Sequence, residues 1–346
     1  MMDKSGPFNA QQIDGSDNIA EELELFQAAC DRIAGLTLRT PLLHSLHFSK
    51  ELACNVYLKM ESEQITNSFK LRGATNKIRL LQDKQKDELE DNGIITASSG
   101  NHALACAHAC LQLGLPVTCY TSTAIADVKV DNLKAYSNMS LVKHCPEPIE
   151  AENYARYLEQ TEGRILVAPY NDMDVVRGQG TIGCEILQQL VDVDMILVPV
   201  GGGGLIGGIA MYAKLVKPSI RIIGCQPKND AAMWESLQAG HVTDIHGKQT
   251  ISDGTAGDIE AGAVTFTLCQ QYVDQWVLLS EEEIEQAVFD MLKYHKKVIE
   301  GAAGLTIAAL RKISSEEMQG KNVVLVICGG NISLDKVQYL IQKYDK

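Results

Sequence analysis

Four consecutive glycines constrain what this chain can fold into more than any other feature of its sequence. They follow an apolar run at residues 195–200, which predicts a buried strand, and they precede residues 205–216, whose apolar spacing predicts a helix. Glycine has no Cβ to hold the backbone away from an anion, and the free amides of a first helical turn favour negative charge. A purely structural turn needs fewer glycines, so we interpret this run as a phosphate-binding loop formed by Gly201, Gly202, Gly203 and Gly204.

The spacing of Gly202, Gly204 and Gly207 matches the dinucleotide-binding fingerprint only in part. That fingerprint also requires an acidic residue about 20 residues later, after the next strand, to bind a ribose hydroxyl. The next strand is predicted at residues 220–225, and the uncharged Gln226 follows it. A single phosphate on a smaller cofactor therefore fits better, and an NAD-dependent oxidoreductase is the weaker alternative.

The composition disfavours several classes of function. The net charge of −13 argues against binding to nucleic acid or to an anionic membrane surface, and no apolar stretch is long enough to span a bilayer. Residues 1–17 are polar, lack the apolar segment of a secretory signal and are expected to be a disordered leader. The ten cysteines are scattered through apolar segments, which indicates reduced thiols. We therefore expect a cytoplasmic protein with no nucleic-acid or membrane partner.

Strands and helices are predicted to alternate along the chain, which is typical of α/β proteins with parallel sheets. Residues 83–171 repeat strand and helix and predict a small α/β domain. Residues 1–82 and 172–346 then form a larger domain that contains the four glycines. We predict two doubly wound α/β domains with the active site in the cleft between them, since ligands bind where polar loops follow parallel strands.

Lys70 is a candidate nucleophile. It lies between Phe69 and Leu71 at the start of a predicted helix. Apolar neighbours desolvate an amine, and desolvation lowers its pKa and makes it a nucleophile towards carbonyls. The alternative is an ordinary surface lysine, since lysines are mostly exposed.

A second polar loop, residues 98–102, lies between a predicted strand at residues 94–97 and a predicted helix at residues 103–113. Backbone amides at a helix start and serine hydroxyls are hydrogen-bond donors that suit a carboxylate. The alternative is that Ser98 or Asn101 only caps the helix.

A phosphate-binding loop, a nucleophilic lysine and a carboxylate-binding loop together describe a pyridoxal phosphate site. On these motifs the chain resembles the fold-type II pyridoxal phosphate enzymes, which have the tryptophan synthase β-like fold, in the branch of the serine/threonine dehydratases and serine racemases. The resemblance extends over about residues 20–340, and its motifs occur in the family's order. The matching stretches are residues 68–74, 98–102, 178–181, 201–204 and 328–331.

The resemblance implies a role for each motif. Lys70 would bind the cofactor as a Schiff base and, once released, remove the Cα proton of the substrate, and Ser99 would be the acid on the opposite face in a racemase. Asn101 would contact the 3′ oxygen of the ring. Cys328 would lie beside the pyridine nitrogen, where a thiol, as a weak donor, favours elimination. The other implied cofactor contacts are Phe69, Asn171, Gly201, Gly202, Gly203, Gly204 and Leu205. The implied substrate contacts are Ser98, Ser99, Gly100, Asn101 and His102.

The resemblance further implies an L-serine/L-threonine dehydratase, an ammonia-lyase that converts a small 3-hydroxy amino acid into a 2-keto acid and ammonia. A serine racemase with a side dehydratase activity is the alternative, because Ser99 permits both reactions. The divalent-metal loop of the racemases has Gln226 and Ala232 here in place of its acidic residues, so we predict no metal. Residues 252–257 with Glu260 resemble the bacterial-type dehydratases. A homodimer is expected, as is usual in the family.

Overall fold

The computed structural model describes residues 16–125, 127–146 and 148–345. The predicted leader therefore lies mostly outside the described residues, and the described part of the chain opens within helix α1 at Ser16. The strands are β1 Leu42–His44, β2 Asn55–Met60, β3 Ile94–Ala97, β4 Val117–Ser122, β5 Met139–Cys145, β6 Ile165–Leu166, β7 Met195–Pro199, β8 Arg221–Pro227, β9 Gln275–Leu279 and β10 Asn322–Ile327. The helices are α1 Ser16–Ile33, α2 Leu46–Leu52, α3 Lys70–Lys84, α4 Lys86–Asn92, α5 Asn101–Leu113, α6 Asp127–Lys134, α7 Pro148–Glu162, α8 Met173–Gln189, α9 Gly204–Val216, α10 Ala232–Ala239, α11 Val264–Tyr272, α12 Glu281–Asp290, α13 Gly301–Leu310, α14 Ser315–Met318 and α15 Leu334–Tyr344.

The strands form two separate sheets. The larger sheet has the order β1-β2-β10-β7-β8-β9, and within the described ranges only β1 runs antiparallel to its neighbour. The smaller sheet has the order β5-β4-β3-β6 and is parallel throughout. Strand β7 is buried along its whole length, as expected where helices cover both faces of a parallel sheet. The prediction of two α/β units with parallel sheets is confirmed, whereas the domain boundaries stay a prediction.

Helix α8 packs against α3 and α9 at glycines. A Cβ on Gly178 would come within 2.6 Å of the Gly73 Cα on α3, and a Cβ on Gly208 of α9 would come within 2.7 Å of the Gly180 nitrogen. No side chain fits in such crossings, so glycine is required. Gln179, which lies between the two crossings, accepts a hydrogen bond from the Gly73 amide at 3.1 Å. Helix α8 therefore fixes the start of α3 relative to the start of α9.

Arg72 is completely buried on α3 and is paired with two carboxylates. Its Nε donates to Glu61 Oε2 at 2.8 Å, and its Nη1 donates to Glu185 Oε1 at 2.6 Å. The buried Lys59 on β2 also donates to Glu185. Because two cations face two carboxylates, the group brings no net charge into the core while it joins β2, α3 and α8.

Replacement of Arg72 by methionine is expected to lower the free energy of unfolding by about 3–5 kcal/mol, because Glu61 would stay buried without its ion-pair partner. Equilibrium unfolding in urea measures the change. The matched control is Glu90→Gln, which removes an exposed pair with Lys86 and should change the free energy by less than about 0.5 kcal/mol. Equal effects of the two substitutions would contradict this interpretation of the buried group.

Candidate active site

Lys70 is the first residue of α3, and the end of β10 holds the chain just before it. The Phe69 amide donates to the Cys328 carbonyl at 3.0 Å. The Lys70 ammonium donates to the Pro169 carbonyl at 2.8 Å. Burial lowers the pKa of Lys70 to about 8. The amine therefore lies in a desolvated place, as its apolar neighbours predict, and it is not an ordinary surface lysine.

The four glycines connect the end of β7 to the start of α9. Gly203 has a φ of +85°, which favours glycine, and a Cβ there would come within 2.8 Å of Met233 Cε and 2.9 Å of Thr265 Cβ. A Cβ on Gly202 would come within 2.6 Å of the Tyr170 ring. The amides in the first turn of α9 have no acceptor within the helix. The loop therefore offers backbone N–H groups to a ligand and has no room for side chains.

Residues 169–171 lie between Lys70 and the glycine loop. The first carbonyl of this segment accepts the Lys70 hydrogen bond. The next residue, Tyr170, covers the loop: its ring lies against Gly202, and a Cβ on Gly204 would come within 3.0 Å of the Tyr170 Cβ. The structure thus brings the predicted amine and the predicted phosphate loop to the two sides of one short segment.

Residues 98–102 form the start of α5, which begins at Asn101. Neither Ser98 nor Asn101 caps the helix through its side chain, so the interpretation of this loop as a simple cap is wrong. The Ser98 Oγ instead accepts a hydrogen bond from the Gly100 amide at 3.2 Å. A Cβ on Gly100 would meet nothing within 4 Å, and the half-buried Ser99 hydroxyl has no hydrogen bond to any residue that the structure describes. The helix start is therefore open to a ligand.

His102 is buried beneath this loop and is uncharged. Its Nε2 donates to the Val167 carbonyl at 2.8 Å, while its Nδ1 is buried without a partner in the described part of the chain. Burial and the charge of Lys70 lower the pKa of His102 to about 3. The side chain is therefore a neutral imidazole at physiological pH.

Glu300 lies against Asn101, the first residue of α5, and the sequence patterns did not indicate it. Asn101 Nδ2 donates to both Glu300 oxygens, at 3.1 and 3.0 Å, and Asn101 Oδ1 accepts from Asn331 Nδ2 at 2.7 Å. Cys328 Sγ donates to Glu300 Oε1 at 3.8 Å. Burial raises the pKa of Glu300 to about 7 and the pKa of Cys328 well above its usual range. A signal was present in the sequence, since Glu300 directly precedes the almost entirely apolar run of α13, in which Thr306 is the one polar side chain and whose residues are all buried.

A second polar group joins α7 of the smaller sheet to the segment beside Lys70. Asn171 Oδ1 accepts from the Val264 amide at 3.0 Å, and Asn171 Nδ2 donates to Glu260 Oε2 at 2.7 Å. Glu260 also forms an ion pair with Arg156 on α7. Sequence patterns indicated Asn171 and Glu260 but missed Arg156, because the pair joins residues 104 positions apart.

The loop after β8 is held by hydrogen bonds within the protein. Gln226 Oε1 accepts from the Trp234 amide at 2.8 Å, and Asp230 Oδ2 accepts from the Gly257 amide at 3.1 Å. Among the described residues, no group of three or more His, Cys, Asp and Glu side chains is arranged to hold a metal ion. The expectation of no metal at this loop stays a prediction. In the same part of the chain, no helix has the length and apolar character needed to cross a bilayer.

Residues 33–329 match the family model described as pyridoxal-phosphate dependent enzyme. The chain belongs to this family. The matched region includes Lys70, the loop at residues 98–102 and the glycine loop. The cofactor expected from the sequence, pyridoxal phosphate, is therefore confirmed as the cofactor of the family.

Individual relatives agree with the branch that the motifs indicated. The L-threonine dehydratase catabolic TdcB of Staphylococcus aureus strain N315 is 41% identical over 308 residues, which cover 88% of this chain and 87% of that protein. The processed form of threonine deaminase isoform 2 from Solanum lycopersicum has a TM-score of 0.86 at 32% identity, and the alignment covers 96% of this chain and 89% of that one. Maize serine racemase has a TM-score of 0.83 at 30% identity and coverages of 93% and 97%. The resemblance to the dehydratase and racemase family is confirmed.

The residues of this pyridoxal-phosphate dependent enzyme fit the cofactor on their own geometry. The glycine loop offers amides without helical acceptors and has no room for a Cβ, which suits a phosphate. The desolvated Lys70 can act as a nucleophile towards the aldehyde carbon of the cofactor, since its lowered pKa makes the neutral amine available. Cys328 keeps its proton and can face a ring nitrogen without charge.

Gly203→Ala is expected to weaken the binding of pyridoxal phosphate by roughly tenfold or more, because the new methyl group would push against Met233 and Thr265 and displace the loop amides. The matched control is Gly240→Ala. That glycine has a similar φ of +77°, but a Cβ there would meet nothing within 4 Å. Absorbance titration of cofactor-free protein gives the dissociation constants. Wild-type affinity in both variants would contradict the phosphate assignment of the loop.

Proposed function

We propose that this enzyme is an L-serine/L-threonine dehydratase, an ammonia-lyase that converts a 3-hydroxy amino acid into a 2-keto acid and ammonia by β-elimination. The observation that carries the proposal is the position of the Lys70 amine, which is desolvated and lies one short segment from the glycine loop. The name of the TdcB relative, an L-threonine dehydratase, supports the reaction class. The NAD-dependent alternative loses its support because the chain belongs to a pyridoxal phosphate family.

In this proposal the glycine loop holds the cofactor phosphate through its amides, and the dipole of α9 favours the negative charge. Lys70 carries the cofactor covalently, with its Nζ 5.3 Å from the centroid of the Phe69 ring. Asn101 would contact the ring oxygen of the bound cofactor, and Cys328 would face its ring nitrogen. When bound, pyridoxal phosphate supplies an electron sink for negative charge at the substrate Cα. The proposed phosphate contacts are Gly201, Gly202, Gly203, Gly204 and Leu205, with Asn171 close to them.

The start of α5 binds and orients the substrate. Its uncapped amides and the Ser99 hydroxyl bind the α-carboxylate, which the helix dipole also favours. The buried His102 adds no charge to this place because its pKa is lowered to about 3. Lys70 removes the Cα proton, and a pKa of about 8 leaves part of the amine neutral and able to accept it near neutral pH.

Serine racemisation is the second candidate activity, and the Ser99 hydroxyl is the observation that favours it. This hydroxyl is half-buried on the loop at residues 98–102 and has no hydrogen-bond partner in the described ranges, so it is free to deliver a proton to the second face of the Cα. The similarity to maize serine racemase supports this alternative. Measurement of D-serine together with the keto acid separates the two activities.

The proposal includes the organisation of the protein. We assign residues 83–171 to a small domain and residues 1–82 and 172–346 to a large one, and this assignment is supported by the strands of the smaller sheet, which all fall between residues 94 and 166. A cytoplasmic location is supported by the ten cysteines, which are all free thiols. We propose a homodimer as the oligomeric state, and sedimentation velocity of the purified enzyme tests it.

Purified holoenzyme is expected to release equal amounts of ammonia and 2-keto acid from L-serine or L-threonine. Lys70→Ala should lower this activity by about 10³-fold or more, because the covalent anchor and the base are both lost. Lys86→Ala is the control, since the Lys86 side chain is 67% exposed, and it should match the wild type.

The same incubations, extended to threo-3-hydroxyaspartate, report the preferred substrate. D-serine formed without keto acid would identify the enzyme as a racemase. An enzyme that takes up the cofactor but forms neither product from any of the three amino acids would contradict the proposed function.

The capture of pyridoxal phosphate by cofactor-free protein is expected to speed up as the pH rises towards about 8 and then to level off. Only the neutral amine attacks the aldehyde, and burial places the pKa of Lys70 at about 8 instead of its ordinary value of 10.5. Stopped-flow absorbance measures the rate, with Lys70→Ala as the blank. A rate that keeps rising to about pH 10, as for an exposed lysine, would contradict the desolvation of this amine.

A further inference from the structure

Glu300 contacts Asn101 and Cys328, the two residues that are proposed to contact the ring of the cofactor. Asn101 Nδ2 donates to both carboxylate oxygens of Glu300, and Cys328 Sγ donates to one of them. The Glu300 amide also donates to the Gly329 carbonyl at 3.1 Å. A Cβ on Gly329 would come within 2.5 Å of Glu300 Oε1, so glycine is needed for the carboxylate to lie against this turn. The carboxylate is therefore packed against the residues that line the proposed site of the ring.

This carboxyl group is costly for the fold. Glu300 is 4% exposed, and within the described ranges no lysine, arginine or histidine lies at ion-pair distance from it. An acid that is buried without a cation usually destabilises a protein, and such groups cluster at functional sites. The charges that act on Glu300 from farther away are Lys70 and Asp253, and Asp253 is itself paired with Lys336 at 3.2 Å. The position of Glu300 therefore indicates a functional reason for keeping it.

The carboxylate determines which way Asn101 faces. A carboxylate only accepts hydrogen bonds, so Asn101 must turn its Nδ2 towards Glu300. Asn331 Nδ2 donates to the other end of the amide, Asn101 Oδ1, at 2.7 Å. The amide orientation is thus fixed from both ends. A neutral glutamine at position 300 could donate or accept, and it would no longer specify this orientation.

The same carboxylate controls the thiol of Cys328. A thiol has a single hydrogen, and in this structure it is directed to Glu300 Oε1. While that hydrogen is held by Glu300, Cys328 cannot donate it to a ring nitrogen. Protonation of Glu300 would weaken this hydrogen bond and release the thiol. Since burial raises the pKa of Glu300 to about 7, this change falls in the neutral pH range.

We propose that Glu300 is a positioning residue for the cofactor ring, which acts through Asn101 and Cys328 and couples the electronic state of the bound cofactor to pH. The inference rests on the proposed function, because it needs pyridoxal phosphate in the site. Glu300 touches neither the predicted phosphate loop nor the predicted substrate loop other than at Asn101. Its effect should therefore appear in the cofactor itself, before any substrate is added.

The test compares wild type with Glu300→Gln, and Asp253→Asn is the matched control because Asp253 is a nearby acid that contacts neither Asn101 nor Cys328. Two quantities are measured without substrate: the dissociation constant of pyridoxal phosphate, and the ratio of its visible to its near-ultraviolet absorbance between about pH 6 and pH 9. Glu300→Gln is expected to bind the cofactor roughly tenfold more weakly, as for one lost charge-assisted hydrogen bond. It should also lose the change in absorbance ratio that wild type shows near pH 7. Asp253→Asn should keep this change but show it at lower pH, because the Asp253 charge helps to raise the pKa of Glu300.

A second variant keeps the test decisive if Glu300→Gln does not fold. Asn331→Ala removes the other support of Asn101 at an exposed position, so it should weaken cofactor binding but keep the pH dependence, because Glu300 is intact. Loss of that pH dependence in Asn331→Ala, or wild-type values of both quantities in Glu300→Gln, would overturn the inference. A wild-type protein that shows no cofactor absorbance at all would instead refute the proposed function.

Discussion

Helix α8 crosses α3 and α9 so closely that a methyl group at Gly178 or Gly208 would overlap backbone atoms of the neighbouring helix. These two crossings place the first residue of α3, Lys70, at a fixed distance from the first turn of α9, where the glycine loop ends. The chemistry requires an amine and an anion site that do not move relative to each other, because a covalent cofactor joins them. The interhelical glycines are therefore as much a part of the active site as the loop glycines, although they contact no ligand.

Two sets of buried charges have different consequences. The group around Arg72 has two cations and two carboxylates, so it is neutral, and its effect is to join β2, α3 and α8. Glu300 has no such partner at ion-pair distance in the described part of the chain, and its raised pKa reflects that cost. The two groups therefore differ: the charges around Arg72 are paired with one another, whereas Glu300 lies without a cation against Asn101 and Cys328.

The sequence predicted those features that depend on residues close together in the chain. The strand at residues 94–97 was predicted to the residue, and the glycine loop was recognised between a strand and a helix that both exist. The features that it missed are pairs of distant residues: Asn101 and Glu300 are 199 positions apart, and Arg156 and Glu260 are 104 apart. The local spacing of apolar residues does not indicate which loops the order of the strands in a sheet brings together. Glu300 could still have been suspected, because it directly precedes α13, an almost entirely apolar helix whose residues are all buried.

One helix that follows a strand of each sheet begins at the candidate active site. The start of α9 follows the larger sheet and the start of α5 belongs to the smaller one, and the contacts of Lys70, Asn101 and Glu300 join them. Each helix start favours an anion, so the place suits a ligand pair with two separate negative groups. The phosphate of the cofactor and the carboxylate of an amino acid are such a pair, and the amine at position 70 lies where the two molecules must be joined. A dinucleotide would place both of its phosphates at one helix start and leave the other without an anion, which is why the arrangement of two helices argues for amino-acid chemistry more strongly than the glycine loop does alone.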